Sequence, residues 1–264
     1  MTATADWLTK VSFNKPRKVT DSAWMAHAAF GFWLIEQLRP RSLVELGSWK
    51  GYSYLAFCQQ IVESQVACKS WAVDTWQGDE HAGFYGNEIY ANLKAYHDPL
   101  YGAFSTLVRA TFDEAVSQFE DGSIDLLHID GRHFYEDVKH DFKTWERKLS
   151  DRAVVLFHDT QVRENDFGVW QFWEEISKDR PSFEFHHCFG LGVLCYGTAP
   201  DVLALPIFAE PSEAKAQKIR HAYEVLGELL VNGAAIGQRL HLKRNELCPC
   251  GSGERVKRCH GTFL

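Results

Sequence analysis

The chain has 264 residues, 45% hydrophobic and 14% aromatic, enough for one main domain with a full core and small appendages. Its formal net charge of −7 argues against a broad nucleic-acid-binding surface. No apolar run approaches the roughly 20 residues of a membrane-spanning helix, and there is no signal-peptide pattern, so we expect a cytoplasmic protein with reduced cysteines.

Residues 1–40 are predicted to form an amino-terminal arm and one helix. The helix begins at the Asp21–Ser22 cap and ends before Pro40. Its apolar residues recur on one face at helical spacing, namely Trp24, Ala28, Phe32, Ile35 and Leu38. We expect that face to pack against the sheet that follows.

The first chemically informative motif is a strand, a glycine turn and a helix. An apolar run over residues 43–46 contains the acid Glu45, Gly47 follows it, and Gly51 opens a helical pattern over residues 52–62. Glycines allow close approach of a nucleotide-like ligand, and the helix start offers free N–H groups. The acid disfavours a phosphate, and the dinucleotide fingerprint G-x-G-x-x-G is absent. The alternative is an ordinary turn of another α/β protein.

The second predicted strand, residues 70–74, also ends in an acid. Because parallel sheets bind ligands at the carboxyl ends of their strands, we expect Asp74 to accept hydrogen bonds from two ribose hydroxyls. Residues 75–104 are rich in glycine and aromatics and too long for a plain loop, which favours a cap over the ligand. Packing is the commoner role of such aromatics, but Trp76 is predicted to contact the ligand.

Two further strand ends are predicted to converge on a catalytic site. The strand over residues 124–130 ends at Asp130, and the strand over residues 153–157 is followed by His158-Asp159. Two carboxylates and an imidazole suit Mg²⁺ or Mn²⁺, which would hold a substrate hydroxyl. The alternative is a packed His158 and an Asp159 that caps the next turn. His133 is a candidate general base, with metal ligand and helix-capping histidine left open.

The other elements complete an α/β pattern. Strands are predicted over residues 105–109, 183–187 and 192–196, and the last two form a hairpin that fits an antiparallel last strand. The helix after Asp130 carries Glu136, Asp137 and Asp141, which we expect on a solvated face. Residues 211–238 predict one long helix that either packs across the sheet or mediates self-association.

The glycine motif E-x-G-x-x-x-G, from Glu45 to Gly51, resembles the first motif of class I S-adenosylmethionine-dependent methyltransferases. The residues from Ile129 to Val138, with Asp141, Trp145 and His158-Asp159, resemble the I-D-G-x-H-x-Y…D…W…H-D pattern of a bacterial family in that class. The stretches 73–79 and 81–86 match it too, and the resemblance covers about residues 40–196. Members often accompany glycosyltransferases, and relatives include metal-dependent sugar O-methyltransferases of macrolide and aminocoumarin pathways and the cephalosporin-hydroxylase group.

The resemblance implies a cofactor site and a metal site. By the resemblance, the cofactor S-adenosylmethionine would be held by Glu45, Gly47, Asp74, Thr111 and Phe112. The full predicted cofactor set adds Ser48, Gly51, Tyr52, Ser53, Thr75, Trp76 and Asp130. A divalent ion would be held by Asp130, His158 and Asp159, and catalysis would use His133, Asp130 and His158. The metal-dependent sugar enzymes end the fifth strand in two acids, whereas this chain has His158-Asp159, which leaves metal dependence open.

The tail carries a second motif, C-x-C-x8-C-H. Its three thiolates and one imidazole form a tetrahedral set for structural Zn²⁺: Cys248, Cys250, Cys259 and His260. The motif resembles the SEC-C motif at the end of the preprotein translocase SecA, where it contacts partner proteins or ribosomes. The resemblance implies a docking role, and a disordered tail with accidental cysteines is the alternative.

Together these patterns predict a Rossmann-like, doubly wound seven-stranded α/β sheet with an antiparallel last strand, a C-terminal helix and a zinc knuckle. The predicted divisions are an arm and helix (1–40), a methyltransferase domain (41–200), a helical extension (201–240) and a SEC-C motif (241–264). The predicted activity is O-methyl transfer to a sugar, glycan or related small molecule, and a homo-oligomer is left open. The alternatives are an inactive adaptor that binds proteins through the zinc tail, or an RNA 2′-O-methyltransferase, since the tail is basic.

Overall fold

The computed structural model describes residues 7–209 and 211–232, together with Asn245 and Arg255. Its strands, in chain order, are β1 (Ser42–Leu46), β2 (Lys69–Asp74), β3 (Gly78–Asp79), β4 (Gly83–Phe84), β5 (Ser105–Arg109), β6 (Ile124–Ile129), β7 (Leu149–His158), β8 (Ser182–Phe185) and β9 (Leu191–Cys195). Its α-helices are α1 (Ala28–Leu38), α2 (Tyr52–Glu63), α3 (Asn87–Tyr101), α4 (Phe112–Ala115), α5 (Tyr135–Trp145), α6 (Val169–Ile176), α7 (Pro200–Leu203) and α8 (Glu213–Asn232).

Seven strands form the central sheet, in the order β5-β2-β1-β6-β7-β9-β8. The first five of these pair in parallel, whereas β9 runs antiparallel to both β7 and β8. The predicted doubly wound sheet with an antiparallel last strand is therefore confirmed, with β8 at the edge. The order reverses between β1 and β6, the point where open α/β sheets bind ligands.

Helices cover both faces of the sheet, so that every residue of the central strands β1 and β6 is buried. On one face α1 and α2 pack together, and Trp24, Phe32 and Phe57 are fully buried there. On the other face α5 and α6 bury Phe142 and Trp145. The predicted apolar face of the first helix is thus in the core, although the α-helix itself begins at Ala28, after a 3-10 turn over Met25–His27.

The segment between β2 and β5 contains the β3-β4 hairpin and α3. The helix predicted near residues 87–96 extends to Tyr101, past Pro99. It continues because Leu93, His97 and Tyr101 bury one helix face, which outweighs the single backbone hydrogen bond that proline cannot donate.

Helix α8 packs across the sheet layer beside α1, β8 and the 3-10 turn before α1. Its buried residues include Ile219 and Tyr223, and the Tyr223 hydroxyl donates to the Trp7 carbonyl at 2.8 Å. The predicted zinc ligands Cys248, Cys250, Cys259 and His260 lie outside the described residues. A search of the described helices finds none with the length and apolarity that a bilayer crossing requires.

Asp141 is a correction to the predicted solvated face of α5. Its side chain is buried, with the residue only 8% exposed, and an ideal Cβ on Gly131 would lie 3.4 Å from Asp141 Oδ2. Burial raises the pKa of this carboxyl to about 7, against the smaller opposing effect of His140. Asp141 lies three residues after Val138 and next to Phe142, on the buried face of α5, whereas the exposed Glu136 lies five residues earlier on another face.

We expect Asp141→Asn to stabilise the protein, and more so at higher pH. Because the folded-state pKa is raised, the folded chain holds a proton that the unfolded chain has lost, so stability falls as pH rises from about 4 to about 7. The neutral amide removes this penalty, and its advantage should grow by about 2 kcal/mol between pH 5.5 and pH 8. Denaturant unfolding at both pH values measures it, with exposed Glu136→Gln as the control. An equal effect of Asp141→Asn at both pH values would contradict the assignment.

Candidate functional site

A cavity of about 600 Å³ opens at the carboxyl ends of β1, β2, β6 and β7. Twelve of the predicted site residues line it: Gly47, Ser48, Tyr52, Ser53, Asp74, Thr75, Thr111, Phe112, Asp130, His133, His158 and Asp159. Glu45, Gly51 and Trp76 do not. The sheet topology therefore brings most of the predicted residues together.

The glycine turn lies against the end of β6. Gly47 has a φ of +85°, and an ideal Cβ at this position would lie 2.1 Å from the carbonyl oxygen of Asp130. Gly51 has a φ of +79°, and a Cβ there would meet Leu93. Both positions require glycine, Gly47 for a close backbone approach and Gly51 for packing against α3.

Asp74 fixes this turn through three backbone N–H groups. Its Oδ2 accepts from Ser48 N at 2.8 Å and Trp49 N at 2.9 Å, and its Oδ1 accepts from Trp76 N at 2.6 Å. Since a carboxylate oxygen accepts about two hydrogen bonds, Oδ2 is filled and Oδ1 keeps one acceptor site. The role of Asp74 as a ribose ligand stays a prediction, with one acceptor site open rather than two.

Glu45 is a correction to the predicted cofactor contacts. Its carboxylate is fully buried and accepts from Ser48 Oγ at 2.7 Å and from His128 Nδ1 at 2.8 Å. Glu45 and His128 face each other in register on β1 and β6. Glu45 therefore supports the glycine turn through its hydrogen bond with Ser48. Sequence analysis missed His128, and its only signal was a lone histidine in an otherwise apolar predicted strand.

Trp76 is a second correction. Its indole is fully buried, donates from Nε1 to the Trp49 carbonyl at 3.0 Å and packs on Tyr90 at 4.8 Å between ring centroids. Trp76, two residues after the end of β2, therefore supports the glycine turn through Trp49 and does not line the cavity.

The acids at the ends of β6 and β7 converge with two histidines. His133 Nε2 lies 2.9 Å from Asp159 Oδ2 and 3.9 Å from Asp130 Oδ1. His158 Nδ1 lies 3.3 Å from each of the same two oxygens. Asp130, His133 and Asp159 can each turn one ligand atom to a common point, all within 4.8 Å of one another. We call these three residues the carboxylate–histidine cluster.

This geometry adds His133 to the residues that could hold a metal ion, and the role of His158 as a metal ligand stays a prediction. The His158 nitrogen nearest the carboxylates is already directed at both of them, and its Nε2 is buried with no hydrogen-bond partner among the described residues. His158 Nδ1 thus faces the same two carboxylate oxygens as His133 Nε2. Two carboxylates and one imidazole remain a donor set that fits Mg²⁺ or Mn²⁺.

The two histidines balance the charge of the two acids. Burial lowers the pKa of His133, but hydrogen bonds to Asp130 and Asp159 outweigh it and raise the pKa to about 9. Burial also lowers the pKa of His158, but the negative charges of Asp159 and Asp130 outweigh this effect and raise the pKa well above its usual value. Burial raises the pKa of both carboxyls, but the histidines hold each below its ordinary value. The two carboxylates and the two protonated imidazoles thus balance one another in charge.

The β3-β4 hairpin reaches over the outer side of the cluster. His81 Nε2 is 3.1 Å from the Asn165 carbonyl oxygen, and its ring lies 4.5 Å from that of Phe167. Phe167 in turn stacks on His133 at 4.4 Å and 11°. Sequence analysis described the segment but not these contacts, because His81 and Phe167 are 86 residues apart and no local pattern links them.

Comparisons with protein families confirm the two motif assignments at a coarse level. Residues 44–160 match the model of a methyltransferase domain, and residues 244–262 match that of the SEC-C motif. The acceptor class inferred from the sugar-associated resemblance stays a prediction.

In sequence, the chain matches parts of much longer proteins. The chain is 49% identical over 235 residues to the uncharacterized protein y4gI of Sinorhizobium fredii; the match covers 89% of this chain and 26% of that protein. A 38-residue stretch is 42% identical to the translocase subunit SecA of Burkholderia vietnamiensis, covering 14% of this chain and 4% of SecA. The chain therefore spans about a quarter of the rhizobial relative.

Solved structures share the fold at low identity. A Staphylococcus aureus protein assigned as a caffeoyl-CoA O-methyltransferase superposes with a TM-score of 0.52 and 13% identity, covering 67% of this chain and 84% of that one. Cofactor-bound Rv0187 from MTB gives a TM-score of 0.50 and 12% identity, covering 73% and 86%. The fold is that of class I methyltransferases.

Proposed function

We propose that this chain transfers a methyl group from S-adenosylmethionine to a hydroxyl of a sugar, glycan or related small molecule. The observation that carries the proposal is the single cavity that joins the glycine turn to the carboxylate–histidine cluster. One part fits a nucleoside cofactor and the other fits a hydroxyl that must lose a proton.

The cofactor half of the cavity is supported by its backbone. Helix α2 begins at Gly51 with no side-chain cap, so its first turn leaves backbone N–H groups free for a carboxylate beside Tyr52 and Ser53. Asp74 Oδ1 keeps one acceptor site for a ribose hydroxyl, and Thr111 and Phe112 line the side where a base would pack. Bound there, S-adenosylmethionine supplies a methyl group on a positively charged sulfur.

The cluster performs the acceptor chemistry. A hydroxyl placed beside Asp130 and Asp159 would be oriented by hydrogen bonds. Because His133 already carries its proton, the Asp159 carboxylate would accept the hydroxyl proton as the new O–C bond forms and the sulfur–methyl bond breaks. The hairpin contact between His81 and Asn165 borders the cavity beside the cluster. If Mg²⁺ or Mn²⁺ binds, Asp130, His133 and Asp159 would hold it, and it would lower the pKa of the hydroxyl.

Calorimetry with S-adenosylmethionine and S-adenosylhomocysteine tests the cofactor half directly. We expect both to bind the full chain, since the glycine turn and the α2 terminus are preformed. Absence of binding at millimolar concentration would overturn the proposal, whatever acceptor is tried.

We also propose that the tail holds a zinc ion that supports docking to a protein partner. The double variant Cys248→Ser, Cys250→Ser should lose zinc, because two of four tetrahedral ligands are removed. Mass-spectrometric metal analysis of purified protein measures it, with Cys188→Ser as the control. Unchanged zinc content in the double variant would refute the assignment.

A further inference from the structure

The loop between β8 and β9 presents one aromatic side chain to the cavity. Phe189 lines the same cavity as the carboxylate–histidine cluster and is 53% exposed. A large apolar side chain that remains half in water contributes little to the core, so burial does not explain phenylalanine at this position.

The backbone at Phe189 is unfavourable as well. Cys188 has a φ of +50°, Phe189 of +69° and Gly190 of +90°. Bulky L-residues rarely adopt this left-handed region, where glycine or asparagine is preferred. Such conformations persist where the surroundings enforce them, and they concentrate at ligand sites.

Hydrogen bonds from neighbouring residues hold the loop in this left-handed conformation. Gln161 N donates to the Phe189 carbonyl at 2.8 Å, and Asp159 N donates to the Gly190 carbonyl at 3.1 Å. On the other side, His27 Nε2 lies 3.1 Å from the Cys188 carbonyl oxygen. The loop is therefore fastened to the residues that follow β7, and the position of Phe189 is fixed relative to Asp159.

The charged residues that line the cavity also bear on the charge of the acceptor. Lys50 and Arg132 are the only lysine and arginine among the described lining residues, and both are ion-paired: Lys50 with Asp21 at 2.9 Å, and Arg132 with Glu80 at 3.1 Å. Acids outnumber these two cations in the cavity lining, which contains six carboxylates: Asp21, Asp74, Asp79, Asp130, Asp159 and Glu164. An uncharged acceptor fits this lining better than an anionic one.

We propose that Phe189 is a specificity-determining residue that holds the apolar ring face of an uncharged cyclic acceptor beside the carboxylate–histidine cluster. The inference rests on the proposed methyl transfer and adds the shape of its acceptor. A pyranoside and a phenol both offer such a face, the first through C–H groups and the second through its π-system.

The test compares Phe189→Ala with wild type, using labelled S-adenosylmethionine and three probes: methyl glucopyranoside, catechol and open-chain glycerol. We expect kcat/KM for the ring probe that wild type methylates to fall at least about tenfold, as for loss of an aromatic contact. Phe189→Tyr should restore it, while glycerol turnover and the Kd for S-adenosylhomocysteine stay unchanged. Which ring probe responds distinguishes a sugar from a phenolic acceptor.

Phe84→Ala is the matched control, because Phe84 is 77% exposed on the β3-β4 hairpin and does not line the cavity. Phe189→Gly should fold with an unchanged or higher Tm, which separates the proposal from a structural role. Three outcomes would overturn the inference while methyl transfer stands. They are an equal kcat/KM for the ring probe in Phe189→Ala and wild type, a parallel loss of kcat/KM for glycerol, and a wild type that methylates only glycerol. A wild type that binds the cofactor but methylates none of the probes would overturn the inference, and one that does not bind the cofactor would overturn both.

Discussion

We expect replacement of Asp159 by asparagine to lower the rate constant for the proposed methyl transfer by about 10³-fold while cofactor binding is retained. Asp159 Oδ2 accepts from His133 Nε2 and lies 3.3 Å from His158 Nδ1, so its charge organises both histidines. Asparagine keeps the shape and tolerates the φ of +63° at this position, but it cannot take the place of the carboxylate as proton partner. Single-turnover transfer of labelled methyl groups and calorimetry with S-adenosylhomocysteine measure the two effects.

The control for this prediction is Glu164→Gln. Glu164 is an exposed acid that lines the same cavity and lies in the loop that follows β7. Removing its charge changes the general electrostatic potential of the cavity without touching the cluster, so we expect transfer within about threefold of wild type, as for a rim charge. Equal losses in both variants would indicate that net charge matters and that the cluster is not the proton acceptor.

The sheet and the position of the site followed from the sequence because each strand is an apolar run with a chemically distinct end. Asp74, Asp130 and Asp159 lie where parallel topology gathers strand ends, and all three line the cavity. That inference needs only strand direction and order, which short apolar runs and crossover helices determine.

The side-chain orientations did not follow, because they depend on what lies across the sheet. Glu45 is turned away from the cavity by His128, 83 residues later, which occupies the facing position on β6. His133 joins the cluster from the loop before α5, and Phe189 reaches the site on a loop that is hydrogen-bonded to Asp159 and Gln161. Local patterns carry no information about such partners across the fold.

Replacing Gly47 by alanine should abolish cofactor binding and destabilise the fold, and the cause is steric. The added Cβ would lie 2.1 Å from the Asp130 carbonyl oxygen and 2.7 Å from its carbon, and both neighbours are backbone atoms that no rotamer change can move. Asp130 N donates to the Leu46 carbonyl at 2.8 Å, so separating the two strand ends would break the β1-β6 pairing beside the cluster. We expect a loss of about 3–5 kcal/mol in the free energy of unfolding, in the range of severe backbone and packing changes.

Gly122→Ala separates the steric effect from the backbone preference. Gly122 has a φ of +70°, similar to the +85° of Gly47, but an added Cβ would meet nothing within 4 Å. Its cost should be only the left-handed penalty of about 1–2 kcal/mol, with cofactor affinity unchanged because the turn lies outside the cavity lining. Denaturant unfolding and calorimetry on both variants distinguish the two effects. Similar losses of unfolding free energy would mean that backbone conformation alone makes Gly47 necessary. A much larger loss in Gly47→Ala would mean that the glycine turn and the end of β6 form one close-packed unit beneath the proposed cofactor site.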